Sequence, residues 1–261
     1  MSREAPLSFW VLIPARRASS RLPDKPLADI AGQPMILRVA EVAARSGATR
    51  VAVVTDDAQI AAVVERAGFD AVMTETHHQS GTDRLAEACS RLAAPADQLV
   101  VNLQGDEPLM PAETLGRIAQ ALSRHPWASV STAVTPIHSL DEFHNPSAVK
   151  AVVSGRGEAL YFSRAPIPYL RQPALEQPGP LPHEPRALRH LGLYGFRAGL
   201  LPGFVQWGPS PLERTEQLEQ LRWLEHGHSI CVVELESPPP AGVDTPEDLE
   251  RVRAVWARRA L

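Results

Sequence analysis

Cysteine is nearly absent from this 261-residue chain, which holds only Cys89 and Cys231. Neither sits at a metal-ligand spacing, and two thiols make no disulfide framework, so disulfide-stapled and zinc-ribbon folds are excluded. Cys89 falls in a helical pattern and Cys231 in an apolar run, where each reads as a small buried hydrophobe. Long apolar runs are missing as well. The first, from Phe9 to Ala15, stops at Arg16 and Arg17, and the uncharged stretch from His125 to Leu140 is full of Ser, Thr and Pro. No segment reads as membrane-spanning, and the basic residues follow the first apolar run, the reverse of a secretory signal. The expectation is a soluble cytoplasmic protein. Positive charge is not in excess: the formal net charge is -4, which argues against broad nucleic-acid binding and leaves an anionic substrate needing a local basic site or a metal. Lysine is scarce, since of 26 basic residues only Lys25 and Lys150 are lysine. Neither G-x-G-x-x-G nor G-x-x-x-x-G-K-[ST] occurs, so dinucleotide-dependent oxidoreductases and Walker-type loops are unsupported.

What is present is an alternation of short apolar runs with helical patterns, the mark of βαβ units around a mainly parallel sheet. Strands are expected at Phe9 to Ile13, Arg50 to Thr55 and Leu99 to Leu103. Helices are expected from Pro34 to Ser46, with Gly47 past its end, and from Ala58 to Ala67, closed by Gly68. Leu85, Cys89 and Leu92 recur at helical spacing after the turn Ser80-Gly81-Thr82, and a further helix spans about Pro111 to Arg124. The second half is less regular. A hairpin is expected around Gly155-Arg156-Gly157 between Val149 to Ser154 and Glu158 to Phe162. Five prolines between Pro173 and Pro185 mark a surface loop. A strand near His190 to Phe196, a helix from Pro211 to His226 and a strand from Ser229 to Leu235 follow. A last helix begins at Pro246, with Thr245 as N-cap and Asp248 completing a capping-box start. The sum is one α/β domain over 1–261, a mainly parallel central sheet flanked by helices. A smaller irregular β-containing lobe is inserted at roughly 145–200.

Four cations crowd the loop after the first strand: Arg16, Arg17, Arg21 and Lys25. They would repel one another unless solvent or an anion separates them. A triphosphate supplies that anion, and small residues such as Ala18 and Ser19 let backbone N–H groups approach it. Four charges alone would read as a solvated basic loop; their place just after the opening strand favours a ligand site. Asp106, in Gln104-Gly105-Asp106-Glu107-Pro108, lies at the carboxyl end of the strand Leu99 to Leu103. Asp244 sits just before the last capped helix. Magnesium takes one or two protein carboxylates beside water and phosphate oxygens, and these two acids match that need. Each is also an ordinary turn residue; together with the basic loop they read as metal ligands.

Seven segments, spread over nearly the whole chain, carry a resemblance: IPARRASSRLPDKPL at 13–27, HQSGTDRLAE at 78–87, NLQGDEP at 102–108, ALYFSRAPIP at 159–168, RHLGLYGFRAG at 189–199, PSPLERTEQLEQLR at 209–222 and GVDTPEDLERVR at 242–253. The chain resembles the cytidylyltransferases that make CMP-activated 3-deoxy-manno-octulosonate (Kdo), a sugar of bacterial lipopolysaccharide. The resemblance implies a nucleotide-sugar transferase-like, Rossmann-like fold and transfer of CMP from CTP to Kdo, with magnesium as cofactor and diphosphate as co-product. It implies that Arg16, Ser19, Arg21 and Lys25 contact the CTP phosphates and that Ser80 and Gly81 lie against the cytidine. Asp106 and Asp244 would hold magnesium, and Gln104 would lie close to both substrates. Arg164, His190, Tyr194, Glu213 and Glu216 would contact the sugar, Arg164 gripping its carboxylate. Glu213, Glu216, Gln217 and Gln220 share one face of the expected helix. His190 and Tyr194 read equally as satisfied core residues, and Ser80 as a plain N-cap. A homodimer is implied, with no nucleic-acid partner and no membrane insertion. Two positions depart from the family: Arg17 replaces an aromatic residue, and Asp24 replaces a glycine, adding negative charge beside the phosphate loop. Rival readings are a cytidylyltransferase for another acidic sugar and a sugar-nucleotide-binding regulator without activity.

Overall fold

The computed structural model describes residues 7–17, 22–78, 80–171 and 186–259. In chain order the first elements are β1 (Phe9–Ala15), β2 (Asp29–Ile30), β3 (Gln33–Pro34), α1 (Met35–Ala44), β4 (Arg50–Thr55), α2 (Ala58–Arg66), β5 (Asp70–Met73), α3 (Gly81–Arg91) and β6 (Leu99–Asn102). Next come α4 (Ala112–Arg124), β7 (Val130–Pro136), α5 (Leu140–His144), β8 (Lys150–Val153), β9 (Ala159–Ser163) and β10 (Leu188–Arg197). The chain ends with α6 (Leu201–Trp207), α7 (Pro211–Glu216), α8 (Gln220–Glu225), β11 (Ile230–Glu234) and α9 (Pro246–Arg259). Two compact units result. The first takes its described residues from Met1–Gln120, Gly195–Val205 and Pro239–Leu261, the second from Ala121–Tyr194 and Gln206–Pro238. The architecture is α/β with a mostly parallel sheet, as the alternating pattern predicts. No described helix is long and apolar enough to cross a membrane.

In the first unit the strands lie in the order β6-β1-β4-β5, all parallel. Trp10 faces Arg50 and Ala15 faces Thr55, while Phe9 faces Leu99 and Leu12 faces Asn102. Val11, Leu12, Ile13, Val53, Val54, Val100 and Val101 have no exposed surface. A strand covered on both faces needs a continuous apolar run, which is why these segments show no alternation. Asp57 caps α2 by accepting the N–H groups of Gln59 and Ile60 (2.8 and 2.9 Å). Just past the ends of α1 and α2 stand Gly47 and Gly68, whose φ of +83° and +84° suit glycine best.

One apolar cluster fixes the functional end of this unit. Ile30, Met35, Leu109, Val243, Leu249 and Val252 are buried against one another. They come from the β2–β3 hairpin and α1 after Lys25, the stretch after Asp106, and the segment around Asp244. Burying this cluster therefore draws three distant loops together. Arg38 donates to the carbonyls of Ile30 (3.0 Å) and Ala31 (2.7 Å) and lies 4.4 Å over the Trp256 ring. Arg253 of α9 donates to the Asp29 carbonyl (2.8 Å). The capping box expected at α9 is present: Asp248 N–H donates to Thr245 Oγ1 (3.2 Å) and Thr245 N–H to Asp248 Oδ2 (3.1 Å).

In the second unit β11 runs parallel to β7, which neighbours β10. The hairpin β8–β9 forms as expected and adds to β10 antiparallel. Strand β7 was not anticipated, because Ser131, Thr132 and Thr135 interrupt its apolar residues. All three are buried, and Thr132 Oγ1 donates to the carbonyl of Leu193 (2.9 Å), which makes burial of a hydroxyl tolerable. Strand β5 is likewise absent from the sequence reading. The helix expected from Pro211 to His226 is broken. It ends at Glu216, Gln217 turns left-handed (φ 54°, ψ 50°), and α8 begins at Gln220. Arg164 explains the break: its Nε donates to the Glu216 carbonyl (2.7 Å) and its Nη2 to the Gln217 carbonyl (3.2 Å). A continuing helix would need both for its own N–H groups. Glu213, Glu216, Gln217 and Gln220 consequently do not share one helical face. The Pro173 to Pro185 loop lies outside the described residues.

The cluster beneath the loops gives a direct test. Met35→Ala or Leu249→Ala should cost about 2–5 kcal/mol of unfolding free energy, read as a lower urea midpoint at unchanged m-value. Val205→Ala, at an exposed position, should stay within about 0.5 kcal/mol. Equal effects at all three sites would contradict this packing.

Candidate active site

The loops after β1 and β6 and the turn before α9 meet on one ammonium group. Lys25 opens a short 3-10 turn and its Nζ donates to Asp106 Oδ2 (2.6 Å), to the Val243 carbonyl (2.9 Å) and to Asp244 Oδ1 (3.2 Å). The convergence expected of these three residues is therefore present within the first unit. The backbone holds it: Val243 N–H donates to the Asp106 carbonyl (2.8 Å). Glycine permits that approach, since a Cβ on Gly242 would stand 2.9 Å from the Asp106 carbonyl oxygen. A Cβ on Gly105 would stand 2.9 Å from the Pro14 carbonyl oxygen, so the turn before Asp106 also rests directly on the end of β1. Glu107, next to Asp106, is pushed up to about 8, first by burial and then by the Asp106 charge. At neutral pH it carries a proton and adds no third negative charge.

Two carboxylates on rigid turns form a donor set suited to magnesium, which completes its shell with water and phosphate oxygens. The ammonium between them marks where positive charge is favoured, so the residues fit such an ion. Among the described residues no group of three or more His, Cys, Asp or Glu could hold a metal.

Arg16 follows β1 directly and is exposed. Ser19 and Arg21 lie outside the described residues. The two family departures prove to be partners. Arg17 Nε donates to Asp24 Oδ1, and Arg17 Nη1 donates to Gln59 Oε1 (3.0 Å). That hydrogen bond holds the Asp24 carboxyl below its usual range. Asp24 has φ 53° and ψ 26°, a left-handed conformation that glycine adopts without cost. The extra negative charge is thus paired within the loop.

Ser80 is the N-cap of α3: its Oγ accepts the Asp83 N–H (3.1 Å), and its own N–H donates to Asp83 Oδ2 (3.2 Å). Gly81 packs over Pro14, whose Cγ would be 3.5 Å from an added Cβ. This turn is pinned from both sides. Buried Arg84 donates to Thr74 Oγ1 (2.6 Å) and Asp56 Oδ2 (2.8 Å). Burial would raise Glu87, but hydrogen bonds from His78, the Glu75 N–H and Arg91 bring it down to about 2. Gln104 contributes its carbonyl, which accepts the Glu107 N–H (3.2 Å).

In the second unit the sugar candidates are tied to one another and to the backbone. Arg164 donates to the carbonyls of Pro146 (3.0 Å), Glu216 and Gln217. Glu216 accepts Ser163 Oγ–H (2.6 Å) and the Arg164 N–H (2.9 Å). Glu213 takes both Nε and Nη2 of Arg222, each at 2.7 Å, the bidentate fork expected of arginine. His190 is buried, with Nε2 2.9 Å from Thr132 Oγ1 and Nδ1 3.4 Å from Gln220 Nε2. Tyr194 donates its hydroxyl to Gln220 Oε1 (3.0 Å). Burial pushes His190 down to about 3, so the imidazole is neutral, and pushes the Tyr194 hydroxyl up.

The sequence profile of the cytidylyltransferase family matches residues 10–230. The chain belongs to this cytidylyltransferase family. A curated relative from Neisseria meningitidis serogroup C (strain 053442), a 3-deoxy-manno-octulosonate cytidylyltransferase, is 51% identical over 248 residues, covering 95% of this chain and 98% of its own length. A solved structure, CMP:2-keto-3-deoxy-manno-octonic acid synthetase complexed with CTP, matches with a TM-score of 0.86 at 42% identity. That match covers 97% of this chain and 99% of the other.

Three residues of this cytidylyltransferase escaped the sequence reading as site-builders. Arg84 lies inside the quoted segment at 78–87, but only the fold shows that it ties two strand ends to α3. Lys150, noted for its rarity, is fully buried and donates to the carbonyls of Asn145 (2.9 Å) and Arg164 (2.7 Å). Thr132 gave no signal at all. The backbone weld between the two acidic loops is testable. Gly242→Ala should cost about 1–3 kcal/mol of stability and reduce turnover at least tenfold by parting Asp106 from Asp244. Gly155→Ala, where an added Cβ meets nothing within 4 Å, should leave turnover unchanged. Equal turnover in both variants would contradict the weld.

Proposed function

We infer that this chain transfers CMP from CTP to 3-deoxy-manno-octulosonate, giving CMP-Kdo and diphosphate. The convergence of Lys25, Asp106 and Asp244 carries the reading, supported by the relative that is 51% identical and by the CTP-bound structural neighbour. The anomeric hydroxyl oxygen of the sugar attacks the α-phosphorus of CTP. A new O–P bond forms, the bond to the β-phosphate oxygen breaks, pyrophosphate leaves, and the hydroxyl proton passes to solvent. Such transfers are driven by positioning and charge neutralisation.

We propose that Asp106 and Asp244 hold magnesium, which when bound would screen the two anionic substrates and lower the pKa of the attacking hydroxyl. Lys25 and Arg16, with Ser19 and Arg21, are assigned to the phosphates. Ser80 and Gly81 are assigned to the cytidine, where the fixed main chain of the α3 turn offers donors to a pyrimidine edge. Gln104 is assigned to both substrates. Arg164, His190, Tyr194, Glu213 and Glu216 are assigned to the sugar. Three of the five N–H groups of Arg164 reach backbone carbonyls, which fixes the guanidinium plane before a carboxylate arrives. His190, neutral, acts as a hydrogen-bonding group and not as a cation. Magnesium dependence, a cytoplasmic site of action and a homodimer are parts of this same proposal.

Pyrophosphate release tests it. The wild type should release pyrophosphate with CTP, Kdo and magnesium, and far more slowly with UTP or with sialic acid. Asp106→Ala should lower kcat at least a hundredfold, a loss of several kcal/mol of transition-state stabilisation, with an unchanged circular dichroism spectrum. Near-normal turnover of that variant at limiting magnesium, or equal use of unrelated sugars, would overturn the reading.

A further inference from the structure

The ammonium of Lys25 fills the space between Asp106 and Asp244 that a divalent cation would need. Its three N–H donors have three oxygen partners, at 2.6, 2.9 and 3.2 Å. The side chain is only 15% exposed. We propose that Lys25 is a placeholder: in the nucleotide-free protein it holds the cation's position, and it yields that position when a triphosphate draws the ammonium away. This deepens the proposed function and rests on it, since it takes CTP and a divalent cation as the ligands of this site.

Loop geometry, the nature of the lysine side chain and the balance of charge all point this way. The carboxylates stay put, because the Val243 N–H bond to the Asp106 carbonyl and the close approach of Gly242 fix their loops independently of Lys25. The cation that occupies the gap is a compact point charge on a flexible four-carbon stem, a side chain able to swing away. Charge also balances along the exchange. Two carboxylates with one ammonium leave one negative charge; replacing the ammonium by a divalent cation leaves none and frees one positive charge for the phosphates. Occupied by its own lysine, the site binds a free cation with an affinity reduced by the small fraction of time that it stands open. Cation and nucleotide then enter as one complex, and a carboxylate pair facing solvent does not collect metal between turnovers. The scarcity of lysine agrees: a planar guanidinium could not fill a three-oxygen gap and then leave it so readily.

Manganese(II), titrated into the full-length nucleotide-free protein and read by electron paramagnetic resonance, tests this without any turnover. Lys25→Met and Lys25→Gln should each bind one Mn(II) ion at least about tenfold more tightly than the wild type. Adding Asp106→Asn to Lys25→Met should abolish the gain. Adding CTP should tighten Mn(II) binding by the wild type more than by Lys25→Met. Equal Mn(II) affinities in wild type and in both lysine variants, with folds intact by circular dichroism, would overturn the placeholder role. Pyrophosphate release by the wild type, measured alongside, separates the two failures. Turnover with equal affinities sinks only the placeholder, whereas absence of turnover sinks the proposed function.

Discussion

An ammonium shared by two carboxylates organises the first unit. Like charges held close repel one another, and a cation between them relieves that repulsion, so positive charge beside Asp106 and Asp244 favours their approach. The protein supplies it from Lys25. Much of the surrounding structure serves that meeting. The hairpin after Lys25, the stretch after Asp106 and the helix after Asp244 bury their apolar residues in one cluster, so hydrophobic packing sets the distance at which the charges interact. Two glycines then bring main chain against main chain where any side chain would intrude. Packing does the work of assembly, and the charges determine what the assembly is for.

The second unit follows a different logic, in which each charged or polar candidate is already part of a network. Glu216 closes α7, accepts Ser163 and Arg164, and sits near buried Lys150. Burial lowers the pKa of Lys150, yet the charge of Glu216 opposes the shift. Arg164 breaks a helix to reach its carbonyls. A network of this kind orients its members sharply, because removing one leaves a buried partner unpaired. The two lysines of this arginine-rich chain fall into place here. Lys25 serves three oxygens and Lys150 two, each set gathered around one nitrogen, a geometry that an ammonium meets and a flat guanidinium does not.

Much of this was legible in the sequence. The strands β1, β4 and β6 are continuous apolar runs, the helices α1 and α2 have their glycine stops in plain view, and α9 its capping box. Asp106 and Asp244 could be singled out because each stands at an element boundary, where side chains face a shared edge. The pairing of Arg17 with Asp24 could not, since they stand seven positions apart in the chain and no periodicity relates them. Nor could the helix break at Gln217, because its cause is a side chain some fifty residues away in the chain. Strand β7 was hidden by its hydroxyl residues, of which Thr132 becomes core-like only once its Oγ1 meets His190 and the carbonyls of Leu191 and Leu193. Local pattern revealed the elements; contacts between distant segments decided where the elements stop and which charges are spoken for.

Both carboxylates must serve one cation for the proposed chemistry to run. The most direct measurement is a crystal structure of the protein with CTP and Mn(II), with anomalous scattering used to locate the metal. The expected result is a manganese peak liganded by both Asp106 and Asp244, with the Lys25 ammonium moved onto the triphosphate. Manganese held by the phosphates alone, with Lys25 still bridging the two aspartates, would contradict it.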